Sequence, residues 1–272
     1  MKNILIIGAN GFTGRRILND LSVNPIYHVT GCSLRDDICP GKDYRFVRTD
    51  IRDENEVRKL FKECRPDIVI NTSALSVPDY CETHHAEAEA TNVTAVETIA
   101  HVCEQYGSRF IHLSTDFVFD GKSTRLYKEE DEAIPVNYYG VTKLKAEKII
   151  ASICSNYAIV RVVVVYGKAL PGQHGNILQL VANRLRNGET IRVVSDQWRT
   201  PTFVGDISVG VEKLMFHTAN GIYHICGSEC LTIAEIAYRV ADFLKLDRSL
   251  IEPVTTEEMK EVTPRPRFSG LS

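Results

Sequence analysis

The sequence predicts a doubly wound α/β fold, a parallel Rossmann sheet with a smaller, interleaved C-terminal substrate lobe. Three observations predict it. Short β-branched runs alternate with segments of helical spacing over residues 1–166. Those runs are apolar throughout, as in strands buried on both faces. A turn carrying Gly8, Gly11 and Gly14 joins the first run to the first helical segment. Strands joined by helices imply right-handed crossovers and a parallel sheet, with ligands bound at the carboxyl ends of its strands.

Residues 4–7 read as a short buried strand. Residues 12–21 read as a helix with Ile17, Leu18 and Leu21 on one side. A second strand covers 27–32 and a weak third 45–47. Residues 54–64 are amphipathic through Val57, Leu60 and Phe61, and 67–71 form the fourth strand. One long helix is expected over 86–106, with Gly107 placed to end it in a left-handed conformation. Residues 109–113 read as a strand and 138–153 as a helix. Residues 158–165 are a continuous apolar strand broken only by Arg161.

The pattern changes after Tyr166. Residues 167–175 are loop-like, 177–185 helical and 191–194 a short strand. Helices follow at 204–217 and 232–246, with a strand at 221–226 between them, and 252–272 show no strong period. The expected division is a dinucleotide-binding domain of 1–166 plus about 203–226, and a substrate lobe of 167–202 and 227–272.

The hydrophobic fraction of 44% and charged fraction of 25% are those of an ordinary globular protein. A net charge of −3 gives no field for nucleic acid or an anionic membrane. No apolar run approaches the ~18 residues of a membrane helix. Met1-Lys2-Asn3-Ile4 runs straight into a strand, so the expectation is a cytoplasmic protein without a signal peptide. The 8 cysteines form no C-x-x-C pair and read as free thiols. Cys226 and Cys230, and Cys81 near His84 and His85, lack a second half-site, so no metal is expected.

Each glycine of the turn has an expected role. Gly8 allows the sharp turn, Gly11 lets the backbone approach a pyrophosphate, and Gly14 lets helix pack on strand. Asn10, Phe12 and Thr13 complete the turn, and the pyrophosphate sits on the positive end of the helix near Phe12. The second strand ends in Cys32-Ser33-Leu34-Arg35, without the acid that would bind a ribose 2′-hydroxyl. Arg35 and Ser33, with Arg15 or Arg16, are candidates for a 2′-phosphate, which favours NADP(H). Asp36 and Asp37 keep NAD(H) as the alternative, and a solvated loop charge is the plainer reading of Arg35. Asp50 and Ile51 are the expected lip for the adenine.

Tyr139 and Lys143 are four apart and share one face of a helix. A lysine ammonium beside a phenol lowers the phenol's pKa, making Tyr139 a usable general acid or base. Ser114, Thr115 and Asp116 end the fifth strand, where a hydroxyl can donate to a substrate carbonyl oxygen. A tyrosine–lysine pair alone is common by chance. The glycine turn and the strand-end hydroxyls together give it meaning.

These residues resemble the extended short-chain dehydrogenase/reductase superfamily, and within it the dTDP-4-dehydrorhamnose reductase family. The resemblance spans nearly the whole chain. It rests on Gly8/Gly11/Gly14, Asn71-Thr-Ser-Ala74, Ser114-Thr-Asp-Phe-Val-Phe-Asp-Gly121, Tyr139-Gly-Val-Thr-Lys-Leu-Lys-Ala-Glu147, Arg199-Thr-Pro-Thr202 with Asp206, and Arg265-Pro-Arg-Phe-Ser-Gly-Leu271. The resemblance implies that Tyr139 protonates the C4 carbonyl oxygen of a nucleotide-activated 4-keto-6-deoxy sugar. NADPH delivers hydride to C4, Lys143 tunes the tyrosine, and Thr115 hydrogen-bonds the substrate. Ser73, Ala74 and Asn92 are implied to touch the cofactor, and Ser114, Asp116 and Val164 the substrate. Arg199 and Arg265 are candidates for the substrate diphosphate or for the C-terminal segment.

The family's sixth strand carries a tryptophan at the sugar site. Here that strand is a run of valines including Val164, and the only tryptophan is Trp198. The chain also ends just after Leu271, where such relatives continue, so a final helix is expected beyond it. The alternatives are a non-catalytic dinucleotide-binding subunit, resembling the methionine adenosyltransferase β subunit, and an epimerase or dehydratase of the same superfamily. A dehydratase would pair Asp with Glu at the strand end, but Phe117 follows Asp116. The expected partner is a nucleotide sugar, with no nucleic acid or membrane. A homodimer is considered without a sequence feature that argues for it.

Overall fold

The computed structural model describes residues 1–41, 43–173 and 175–272. Its central sheet is built from β1 (Lys2–Ile7), β2 (Tyr27–Ser33), β3 (Arg45–Arg48), β4 (Ile68–Asn71), β5 (Arg109–Thr115), β6 (Tyr157–Val162) and β7 (Gly221–His224). All seven run parallel, in the order β7-β6-β5-β4-β1-β2-β3. The chain reverses its winding between β1 and β4. That switch point opens the crevice in which doubly wound folds bind ligands.

Alternation along β1 explains why it reads as unbroken apolar sequence. Ile4 and Ile6 face one layer, with Ile17, Leu18 and Leu21 of α1 (Phe12–Ser22). Leu5 and Ile7 face the other, with Val57, Leu60 and Phe61 of α2 (Glu54–Cys64) and Val96 and Ile99 of α3 (Ala95–Tyr106). Helix α4 (Tyr138–Ile153) joins this second layer through Ala146 and Ile150.

A separate core holds the C-terminal lobe. Val181 and Leu185 of α5 (Ile177–Arg186) pack on Ala237 and Ala241 of an amphipathic helix, Ile233–Leu244. Strand Ile191–Val194 pairs in parallel with Ile251–Val254, which runs into the stretch that shows no strong period in sequence. The C-terminal segment then returns to the body, where Phe268 bridges Trp198 and Leu271 bridges Tyr127. Among the described residues, no helix is long and apolar enough to cross a membrane.

Two elements differ from expectation. The long helix of 86–106 is His85–Glu89, a π-helical turn Ala90–Thr94, and then α3, with Gly107 at φ +67° ending it. Asn92 lies in that π turn, and its buried amide bonds outward to Leu75 and Thr142, a common setting for such turns. The apolar strand of 158–165 stops at Val162. Thr202 takes the next two carbonyls, its hydroxyl donating to Val163 O at 2.8 Å and its N–H to Val164 O at 3.2 Å. Val164 sits at φ +39°, a strained conformation for a β-branched residue, and Val165–Tyr166 then pairs with Thr202–Phe203 instead.

Candidate active site

The three glycines of the turn divide their work. Gly8 has φ +82°, and a Cβ there would lie 2.7 Å from Ser73 N. A Cβ on Gly14 would lie 2.3 Å from Gly8 O and 2.5 Å from Thr72 Oγ1. Gly11 is different: its φ of −66° suits any residue, and its Cβ would meet only Gly8 O, at 3.1 Å. The chain's own packing therefore needs Gly8 and Gly14, whereas Gly11 leaves room for something outside the chain. Helix α1 has no side-chain cap and no acid in its first turn, so its leading N–H groups face the crevice free to bind an anion.

A cleft of about 700 Å³ starts at this turn, where Asn10, Phe12 and Thr13 line it. Its far end on one side is lined by Ser33, Arg35, Asp50 and Ile51, and on the other by Ser73, Ala74, Tyr139 and Lys143. One cleft thus holds an uncapped helix end, the Arg35 side chain and a tyrosine–lysine pair. This fits an extended dinucleotide with its pyrophosphate at α1.

At the Arg35 end, most of the candidate charges are already spent. Arg15 is buried and bonded to Asp37 at 2.5 Å, to Asn10 Oδ1 and to the Tyr44 hydroxyl. Arg15 is thus not the phosphate ligand that sequence spacing allowed, and Asp37 is no free acid for a ribose. Arg16 is turned to Asp20 at 2.7 Å. Asp50 is held by Arg52 at 2.6 Å. Asn10 donates to the carbonyls of Arg35 and Asp36, which fixes the loop carrying them. Arg35 lines the cleft and makes no ion pair among the described residues.

Asn92 does not line the cleft. Its amide accepts from Leu75 N at 2.7 Å and donates to Leu75 O and Thr142 Oγ1, each at 3.0 Å. It holds the loop after β4 against α4 and acts on the cleft only through that loop.

Below the tyrosine–lysine pair lies a buried polar layer. Lys143 Nζ donates to Leu113 O at 2.7 Å and meets His112 Nε2 at 2.8 Å. Burial brings the lysine down to about 8, with Glu147 acting against the shift. Glu147 is itself bound by Arg161 at 2.6 Å and by the Ser114 hydroxyl at 2.5 Å. Ser114 therefore presents cleft wall, while its hydroxyl is committed inward.

The expected lowering of the Tyr139 pKa is not found. Burial, and then the nearby Asp116 carboxylate, push the phenol above its ordinary value, and the Thr115 hydroxyl only partly offsets them. The lysine amine is turned to His112 and Leu113 O, so its charge is not spent on the phenol. Thr115 lies near Tyr139, its hydroxyl donating to Asp116 Oδ1 at 3.1 Å while its oxygen accepts from Phe117 N at 3.2 Å. Asp116 is buried and raised by that burial, with Arg199 and Ser269 opposing.

The two arginines offered for a substrate diphosphate are engaged by the protein. Arg199 is 2% exposed and donates to the carbonyls of Trp198, Pro266 and Arg267, and to Gln197 Oε1. These contacts clamp the C-terminal segment, the second of the two roles read from sequence. Arg265 lies 3.1 Å from Glu261 and 3.6 Å from Asp79, which ties the same segment to helix Pro78–Thr83. Val164 follows the break in β6 and does not line the cofactor cleft.

The sequence reading gave no role to His112, nor to Asn71 and Glu147 within the motifs that carry the resemblance. A signal for them existed: His112 and Arg161 are polar residues inside otherwise apolar strands, and such residues need buried partners. Gln173 was also missed. Its amide donates to Asn10 O at 3.0 Å and Gly11 O at 3.1 Å, joining the C-terminal lobe to the glycine turn.

The RmlD substrate binding domain model matches residues 1–272. The spore coat polysaccharide biosynthesis protein SpsK of Bacillus subtilis is 31% identical, with 100% of this chain and 89% of that protein aligned. Methionine adenosyltransferase 2 subunit beta of Xenopus laevis is 32% identical, over 97% of this chain and 78% of its own. The crystal structure of dTDP-4-dehydrorhamnose reductase from Bacillus anthracis, in complex with NADP, superposes with a TM-score of 0.88 at 27% identity. That match covers 100% of this chain and 91% of the other. By its full-length match and its fold, this chain belongs to the RmlD substrate binding domain family.

Proposed function

We propose that this protein is an NADPH-dependent reductase of the C4 carbonyl of a nucleotide-activated 4-keto-6-deoxy sugar. The observation that carries the reading is the convergence of Tyr139 and Lys143 on the cleft that begins at Gly11, with Thr115 against the phenol. The cofactor supplies the hydride for C4. Tyr139 gives the proton to the carbonyl oxygen, and a phenol held above its ordinary pKa arrives protonated, as a donor must. Thr115 steadies the charge that builds on that oxygen by turning its hydroxyl from Asp116, to which it donates at 3.1 Å, toward the carbonyl. The first-turn N–H groups of α1 hold the pyrophosphate, and Arg35 with Ser33 takes the 2′-phosphate. Phe117 in place of a second carboxylate favours simple reduction over dehydration.

We assign residues 1–166 with about 203–226 to cofactor binding, and 167–202 with 227–272 to the sugar nucleotide. The separate core around Val181, Leu185 and Ala237 supports this division. A second reading, a dinucleotide-binding subunit without turnover, is favoured by the 32% identity to methionine adenosyltransferase 2 subunit beta. The test is NADPH oxidation with a panel of nucleotide-linked 4-keto-6-deoxy sugars. Tight NADPH binding with no turnover on any sugar would select the second reading.

A further inference from the structure

We propose that Asn71 and His112 are positioning residues that lock one tautomer of a buried imidazole against Lys143, so that the lysine amine is the acceptor in that contact. Only its consequence for catalysis rests on the reductase reading.

His112 lies fully buried on β5. Sheet register sets it directly beside Asn71 of β4. Asn71 Nδ2 is 3.1 Å from His112 Nδ1, and Lys143 Nζ is 2.8 Å from His112 Nε2. Ser73 decides which way the Asn71 amide faces. Asn71 Oδ1 accepts from Ser73 N at 3.0 Å and from the Ser73 hydroxyl at 2.6 Å. A backbone N–H can only donate, so turning the amide over would set donor against donor. Nδ2 therefore donates to His112 Nδ1, and the ring hydrogen belongs on Nε2, aimed at Lys143.

An ammonium has no lone pair to receive that hydrogen. A neutral amine does, and it can still donate to Leu113 O at 2.7 Å. A doubly protonated ring would face donors at both ends. Burial and the nearby lysine hold His112 well below the ordinary histidine range, which agrees with a neutral ring. The charges around the pair are few. Glu147, one turn along α4, favours the ammonium but is shared with Arg161 and Ser114. Tyr139 lies one turn the other way and is held protonated, so it offers no anion. Above its midpoint near 8 Lys143 is the neutral amine that this contact needs, and on protonation below that midpoint the His112 contact must rearrange.

The test is NMR on the full chain carrying ¹⁵N-histidine and ¹³Cε-lysine, with His112→Gln and Lys143→Met used for assignment. The expected wild-type result is a Lys143 titration near 8 and, at a pH above it where the ring form is read, a neutral Nε2–H ring at His112. Asn71→Asp exchanges a donor for an anionic acceptor. It should move the ring hydrogen to Nδ1 and raise the Lys143 midpoint by about one pH unit or more. A wild-type ring in the Nδ1–H or doubly protonated form overturns the proposal, and decides it even if Asn71→Asp does not fold. A tautomer switch that leaves the Lys143 midpoint in place overturns the coupling. Neither readout needs turnover, so failure of the reductase reading would be seen separately.

Discussion

A methyl group added at Gly14 and one added at Gly11 should have opposite effects, although the two positions are one turn apart. At Gly14 the new Cβ would lie 2.3 Å from Gly8 O and 2.5 Å from Thr72 Oγ1. Neither neighbour can yield cheaply, because one is backbone and the other is held by Ile7 O at 2.9 Å. Overpacking of this severity costs about 3 kcal/mol. Alanine returns about 1 kcal/mol of helix propensity, leaving a loss of about 2 kcal/mol. For a chain of this size that lowers Tm by about 4–8 °C.

At Gly11 the φ of −66° already suits alanine, and the methyl would meet only Gly8 O at 3.1 Å. The entropy gained through the unfolded chain and the weaker N-cap roughly cancel, so stability should stay within about 0.5 kcal/mol of wild type. The same methyl projects where a pyrophosphate would approach, so NADPH affinity should fall at least about tenfold, or ~1.4 kcal/mol. Urea denaturation and a titration of NADPH fluorescence measure the two effects. Wild-type affinity in Gly11→Ala, or wild-type stability in Gly14→Ala, would refute the division of labour.

Three further outcomes follow from the site. Arg35→Ala should weaken NADPH binding about tenfold or more while barely changing NADH, since a lost charged hydrogen bond is worth about 1.5–3 kcal/mol; equal losses would remove Arg35 from the 2′-phosphate. Arg161→Met strands the buried Glu147 carboxylate and should destabilise the fold by about 3–5 kcal/mol in denaturant melts, more than Glu147→Gln, which keeps a hydrogen-bonding partner. The lysine pKa gives a pH signature. With Lys143 near 8 in the folded chain and 10.5 as its ordinary value, the unfolded chain binds more protons between those limits. Relative to Lys143→Met, the wild type should therefore gain stability with pH through that window, by up to about 3 kcal/mol, against the opposing fall set by buried thiols such as Cys32 and Cys154, and the Lys143 contribution should be flat below it. The two pH profiles should diverge only above about 8, and parallel profiles would take the effect away from Lys143.

The sequence carried the body of the fold because its signals there are local. Ile4 to Ile7, the glycine turn and the apolar face of 12–21 each state their own structure. Gly107 ends a helix for the same reason. What escaped depends on partners distant in sequence. The strand of 158–165 breaks at Val164 because Thr202 captures two of its carbonyls. The proline-containing tail lacks a period because its order comes from Arg199, Trp198 and Tyr127. The same distinction runs through the site. The residues that line the cleft were legible from motif and spacing, including Gly11, Arg35, Tyr139 and Lys143. Their electrostatics were not. Spacing placed Lys143 beside Tyr139 but did not show His112 beneath it, nor that Arg15 would be consumed by Asp37. Sequence left Arg199 between a substrate diphosphate and the C-terminal segment, because only the fold brings the carbonyls of Pro266 and Arg267 to it.

The central claim is hydride delivery to a sugar carbonyl with Tyr139 as the proton donor. Its most direct measurement uses [4-²H]NADPH with a nucleotide-linked 4-keto-6-deoxy sugar and locates the deuterium in the product by NMR. The account predicts deuterium at C4 of the sugar, and a rate about 10²–10⁴ lower in Tyr139→Phe with NADPH affinity retained. Deuterium at any other position, or a Tyr139→Phe variant as fast as wild type, would contradict it.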